Sequence, residues 1–191
     1  MKKIILLIVL VNICLIATEI KKIAILNTNF GKIEIELFSK LSPMTVTNFY
    51  NLAQIGYYNG VIFHRISKNF VIQAGDPTCT GEGGKSIYGA NFEDEIDTLH
   101  QVYKEGYKRG IVAMANAGPN TNSSQFFIML SDRPNMPRKY TIFGKVFKGM
   151  DVVDKIASVE IDQNKLYFNR PTDGKPLKDI KIISINFKDV K

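Results

Sequence analysis

A chain of 191 residues that is 45% hydrophobic and 23% charged has ordinary globular statistics. It is long enough to bury roughly 70% of the surface its unfolded form would expose, so it needs no metal or disulfide staple. Its 14 Gly and 7 Pro exclude a collagen-like or low-complexity chain, and Trp is absent. The net charge is +7, but the lysines are scattered among acids and form no basic stripe with interleaved aromatics, which argues against a nucleic-acid surface.

Lys2 and Lys3 precede an apolar run, 4–16, broken only by Asn12 and followed by Ala17 and Thr18. Thirteen residues fall short of the about 20 that a membrane span requires. A basic start, a short apolar core and small residues predict a secretory signal peptide over residues 1–18. The bulk of Leu15 and Ile16 leaves the cleavage point weakly defined and an uncleaved anchor open. Residues 19–191 read as one domain without repeats, and no membrane association is expected once the leader is removed. Export would mean a bacterial periplasm or surface, or a eukaryotic secretory pathway. The terminal Lys188-Asp189-Val190-Lys191 is not an ER-retention signal. Beyond the leader only Cys79 remains, so no intrachain disulfide forms. One Cys with His64 and His100 builds no zinc site of the usual type, and neither a metal nor another cofactor is expected.

Segments 23–26 and 32–37 read as strands joined by a turn at Asn29, Phe30 and Gly31. In the second, Ile33, Ile35 and Leu37 alternate with Glu34 and Glu36. Ser42-Pro43 predicts a helix start, a hydroxyl cap followed by a proline where the missing N–H costs nothing. Val46, Phe49, Leu52 and Ala53 continue it at helical spacing, and Gly56 stops it. A second helix is predicted over 150–157. Further strands fall at 61–66, 70–73, 111–115, 125–130, 141–147 and 180–187, and 157–179 reads as an extended loop. About eight short strands and two helices predict a mainly β fold, a closed eight-stranded antiparallel barrel capped by two α-helices, since closure removes exposed edges. A barrel without an apolar surface stripe is expected to be a monomer.

Gly83-Gly84-Lys85-Ser86 invites a phosphate-loop reading, but Cys79 stands where that motif needs its first glycine and no helix start follows. Asn122-Ser123-Ser124 matches an N-glycosylation sequon. Two stretches carry more. In 63–76, strand alternation puts Arg65 in phase with Phe63. An arginine on an apolar face is costly without a partner, and Gln73 is the candidate. In 114–128, amides run into Phe126-Phe127. Together they suggest an apolar site with one guanidinium and a few amides, lacking a nucleophile, a general base and a metal.

These stretches, with Val46-Thr47-Asn48-Phe49, Gly60-Val61-Ile62-Phe63-His64-Arg65, Phe92-Glu93-Asp94-Glu95 and Phe143-Gly144-Lys145-Val146, closely resemble the cyclophilin family of peptidyl-prolyl cis/trans isomerases. The similarity runs from about Ile23 to Phe187. It implies an eight-stranded barrel with two helices, binding of proline-containing polypeptides, and Arg65 as the catalytic arginine. It places Phe70, Val71, Gln73, Ala115, Asn116, Ala117, Gln125 and Phe127 on the substrate groove, with Gly81 at its rim. Tyr140 stands where many members carry histidine, and Val71 replaces a usual methionine. Asn135 and Met136 stand where many carry Trp-Leu, so Met136 keeps an apolar wall while the indole is missing. Reduced cyclosporin binding is therefore expected. A member of this kind is expected to isomerise Xaa-Pro bonds in exported proteins and assist their folding. The alternative is a non-catalytic proline-peptide binding module.

Overall fold

The computed structural model describes residues 21–190, so the predicted leader lies outside the described residues. In chain order the elements are β1 (Lys21–Thr28), β2 (Gly31–Leu37), α1 (Pro43–Gln54), β3 (Arg65–Ser67), β4 (Val71–Ala74), α2 (Gln101–Glu105), β5 (Ile111–Met114), β6 (Phe126–Met129), β7 (Ile142–Lys148), α3 (Met150–Ser158), β8 (Ile161–Leu166), β9 (Asp173–Pro176) and β10 (Ile182–Val190).

The strands form one antiparallel sheet in the order β10-β1-β2-β7-β5-β6-β4-β3-β9-β8. This corrects the predicted closed barrel of eight strands. The described sheet has ten strands, and its ladder begins at β10 and ends at β8 without closing. Around Ile62 and Lys181 the chain makes a single isolated bridge, with Gly60 donating to Ile182 and Phe63 to Ile180, instead of a continuous ladder. The extra strands come from 157–179, predicted as loop, which folds into the β8–β9 hairpin. Its sequence is mostly polar and exposed around Ile161, so hydrophobic periodicity carries no signal there. Among the described residues there are three helices, not two, the addition being the short α2.

Strand periodicity divides the interior into two cores. Ile72 and Ala74 of β4, Val112 and Met114 of β5, and Phe126 and Ile128 of β6 point into the main core. There Phe49 of α1 lies 5.6 Å edge-on to Phe126 and 5.3 Å from both Tyr58 and Phe143. Val152, Val153 and Ile156 close it from α3. The alternate residues Val71, Ile111, Ala113, Phe127 and Met129 point the other way, into a second core with Tyr103 and Tyr107. The middle strands are thus dry on both faces, which an antiparallel sheet usually is not.

Helix α1 starts where Ser42-Pro43 predicts, but Ser42 does not cap it. Its buried hydroxyl donates to the Ile142 carbonyl instead. The cap is remote. The Glu95 carboxylate accepts from the Met44 and Thr45 amides at 2.9 and 2.7 Å, placing an anion at the positive helix end.

The candidate active site

The register aligns the site before any side chain is considered. Arg65 pairs with Gln73 across β3–β4, Gln73 with Phe127 across β4–β6, and Phe127 with Ala113 across β6–β5. One row of residues therefore crosses the outward face of the sheet. Arg65 is not in phase with Phe63 as predicted, because the strand begins only at Arg65. Phe63 and Ile66 both lie in the main core while Arg65 turns to the opposite face. Phe126 likewise leaves the site to Phe127.

Arg65 is held from two sides. Its Nε and Nη2 donate to the two carboxylate oxygens of Asp173, both at 2.7 Å, and Nη1 donates to Gln73 Oε1 at 3.1 Å. The Arg65 side chain is 16% exposed and that of Asp173 only 1%, so this planar bidentate pair sits largely out of water. Gln73 Nε2 donates to Gln125 Oε1 at 2.8 Å, and Gln125 Nε2 donates to the carbonyls of Gly81 and Gly83 at 2.9 and 2.7 Å. Because a carbonyl only accepts, the last two bonds fix the orientation of both amides.

The loop that offers those carbonyls is wrapped around Asp76. Its fully buried carboxylate accepts from the backbone amides of Thr78, Thr80, Gly81 and Gly83 and from the Thr78 and Thr80 hydroxyls. A Cβ at Gly83 would sit 2.2 Å from that carboxylate, so only glycine fits. The glycines read as turn formers thus close a cage around an anion.

Two adjoining cavities lie along this row. The first, about 180 Å³, is lined by nine of the twelve predicted residues: Arg65, Phe70, Val71, Gln73, Ala115, Asn116, Phe127, Met136 and Tyr140. Gly81, Ala117 and Gln125 do not reach it. They line the neighbouring groove of about 410 Å³, which shares Gln73, Ala115 and Asn116. Asn135 is exposed and lines neither. The Tyr140 ring meets Phe127 edge-on at 5.4 Å. Its backbone is fixed by Tyr107, whose hydroxyl donates to the Tyr140 carbonyl and accepts from its amide, each at 3.0 Å. Asn116 Nδ2 donates to the Lys139 carbonyl at 2.8 Å, tying the two walls together.

Sequence reasoning missed Asp173, Phe168 and the tyrosine pair Tyr103 and Tyr107. Phe168, from the β8–β9 turn, also lines the smaller cavity. The four-residue spacing of Tyr103 and Tyr107 was available as a signal, whereas nothing in the polar segment around Asp173 marked it as a partner of Arg65. The sequon residue Asn122 is fully buried, its amide donating to the carbonyls of Phe92 and Glu93 and to Asp94.

The β-rich fold thus presents one anchored guanidinium beside a small apolar cavity, flanked by an amide-lined groove. The sequence profile of the family described as cyclophilin type peptidyl-prolyl cis-trans isomerase/CLD matches residues 23–187, and the chain belongs to that family. It is 50% identical over 161 residues to the peptidyl-prolyl cis-trans isomerase ppi1 of Schizosaccharomyces pombe, covering 84% of this chain and 97% of the relative. It is 46% identical over 157 residues to the human peptidyl-prolyl cis-trans isomerase-like 3, covering 82% and 93%. The crystal structure of a Cryptosporidium parvum cyclophilin type peptidyl-prolyl cis-trans isomerase is similar at a TM-score of 0.79 and 37% identity, covering 90% of this chain and 99% of that one. A second structure of that protein, determined in the presence of the dipeptide Ala-Pro, matches at a TM-score of 0.75 and 39% identity, covering 85% and 96%.

His64, the residue before Arg65, is fully buried, with neither ring nitrogen hydrogen-bonded. Burial drives its pKa down to about 4, against the opposing pull of Asp76 and with help from Arg65 and Lys175. For Asp76, burial pushes upward, but the hydrogen bonds from Thr78, Gly81 and Gly83 outweigh it and hold the carboxyl at about 2. A histidine neutral in the fold but protonated in the unfolded chain makes the unfolded state bind more protons. Stability is therefore lost as pH falls from about 6.5 to about 4, and Asp76 extends the loss from about 4 to about 2. Thermal unfolding between pH 7 and 4 should show a decline of about 3 kcal/mol assignable to His64. His64→Phe should flatten that decline, and an unchanged pH slope in the variant would refute the assignment.

Proposed function

We propose that this peptidyl-prolyl cis-trans isomerase assists the folding of exported proteins, and that Arg65 is its catalytic residue. The observation that carries the chemical reading is the anchored guanidinium beside an apolar cavity. Amide resonance sets a barrier of ~18–20 kcal/mol to rotation about a peptide bond, and uncatalysed Xaa-Pro isomerisation takes tens to hundreds of seconds. No covalent bond is made or broken, so a site with neither nucleophile nor base is sufficient.

Of the five guanidinium N–H groups of Arg65, three are bound to Asp173 and Gln73, which leaves two for the substrate. Donated toward the prolyl nitrogen and its carbonyl neighbourhood, they stabilise the nitrogen as conjugation is lost. A charged hydrogen bond of about 1.5–3 kcal/mol supplies one to two decades of rate. The remainder comes from tighter binding of the twisted bond in a preorganised, partly dry site. Phe70, Phe127, Met136 and Tyr140 grip the prolyl ring above Val71 and Ala115. Asn116, Ala117, Gln125 and Gly81 hold the flanking peptide, and Asp173 is a positioning residue that sets the plane of Arg65.

The basic-then-apolar sequence of residues 1–18 supports export. The indole absent at Asn135 supports reduced cyclosporin binding, since the prolyl grip rests on other side chains.

In a peptide isomerisation assay Arg65→Ala should lower kcat/KM by about ten- to a hundredfold. That variant leaves the buried Asp173 unpaired and is expected to lose stability, so Arg65→Lys serves beside it, keeping a cation but not the planar fork. Wild-type and both variants at the uncatalysed rate would favour the binding-module alternative. Cyclosporin should inhibit this protein more weakly than a Trp-bearing member measured alongside, and Asn135→Trp should raise drug affinity more than it changes turnover. N-terminal sequencing of the protein recovered outside the cytosol should begin near residue 19, and an intact Met1 there would argue for an anchor.

A further inference from the structure

The β8–β9 hairpin hangs from β3 through the pairs Ile66–Gly174 and Ser67–Asp173 and returns over Arg65. Its turn is closed by the Arg170 amide donating to the Tyr167 carbonyl at 3.1 Å, with both central residues left-handed, Phe168 at φ 54° and Asn169 at φ 53°. Positive φ at both central positions suits Asn, Asp or Gly, and it is sterically unfavourable for a bulky aromatic residue. Packing does not account for the exception, because Phe168 is 73% exposed.

Its position does account for it. The Phe168 ring lies 5.5 Å from the Arg65 guanidinium and 5.6 Å from that of Arg170, and it forms part of the cavity wall that includes Phe70 and Met136. Tyr167 braces the turn, with its ring 5.5 Å from Arg65 and its hydroxyl donating to the Thr80 carbonyl at 3.3 Å. A strained backbone that holds an exposed aromatic ring at the rim of a binding cavity is a usual mark of a functional constraint.

We propose that Phe168 is a specificity-determining residue of the peptide site, packing against an aromatic or large apolar side chain next to the prolyl bond on the Arg65 side. This rests on the peptide-isomerase reading of the same cavity. The ring offers a flat apolar surface, which favours an aromatic or large apolar partner over a small one.

The test compares short peptides that differ only in carrying Phe or Gly immediately before or after proline, in a protease-free exchange assay and by affinity titration. Wild type should prefer Phe at one of the two positions. Phe168→Asn should lower kcat/KM for that peptide by about three- to tenfold more than for the Gly peptide. Its Tm should stay level or rise, because Asn accepts the left-handed turn, and Phe168→Leu should retain part of the preference. A uniform loss across all peptides together with a lower Tm would make Phe168 merely structural, and no change on any peptide would remove it from the site. If wild type binds peptides without turning them over, the isomerase reading fails. The affinity series then decides on Phe168 alone, where equal affinities for Phe and Gly peptides overturn the proposal.

Discussion

A β-strand shows its side chains to each face in turn, and in this sheet both faces of the middle strands must be filled. That constraint governs the molecule. Even-numbered residues of β4, β5 and β6 complete the core beneath α1 and α3, while their odd-numbered neighbours build the floor of the candidate site. The row Arg65, Gln73, Phe127 and Ala113 is therefore a by-product of register, and a one-residue slip would exchange it for Ile72 and Ile128. Site geometry and core packing cannot be adjusted separately, because each strand serves both through adjacent residues.

Polar groups on such a dry face must all be satisfied, and they are satisfied in a ring. From the Asp76 cage the hydrogen bonds run through the Gly81 and Gly83 carbonyls to Gln125, Gln73 and Arg65, then to Asp173 in the hairpin. Tyr167 closes the circuit at Thr80, which itself donates to Asp76. A half-satisfied buried network is worse than an apolar one, so loop, sheet and hairpin stand or fall together. The guanidinium is oriented by members drawn from β4, β9 and the 76–84 loop.

How much of this could be read from sequence depended on the range of the interaction. Strands with alternating residues, such as Ile33, Ile35 and Leu37, and the helix after Pro43 were legible because the period is local. Arg65 with Gln73 was legible too, as a cation and an amide in apolar company, although the phase argument for it failed once the chain from Val61 to His64 declined to be strand. Closure of the barrel was not legible, because it depends on what the two end strands meet. Nor was the remote cap of α1 by Glu95, 50 residues beyond Thr45. The partner of Arg65 lies 108 residues away in a segment without helical or strand periodicity, so no window of sequence could have joined them.

The buried amide of Asn122 has a consequence for the life of the chain before it folds. In the finished structure its nitrogen is spent on Phe92, Glu93 and Asp94, so an oligosaccharyl transferase finds nothing to modify. In an extended nascent chain the same sequon is open. Within a glycosylating compartment the protein would then run a race between enclosing Asn122 and receiving a glycan there. A molecule that lost the race would carry a sugar at a position the fold can only complete without one.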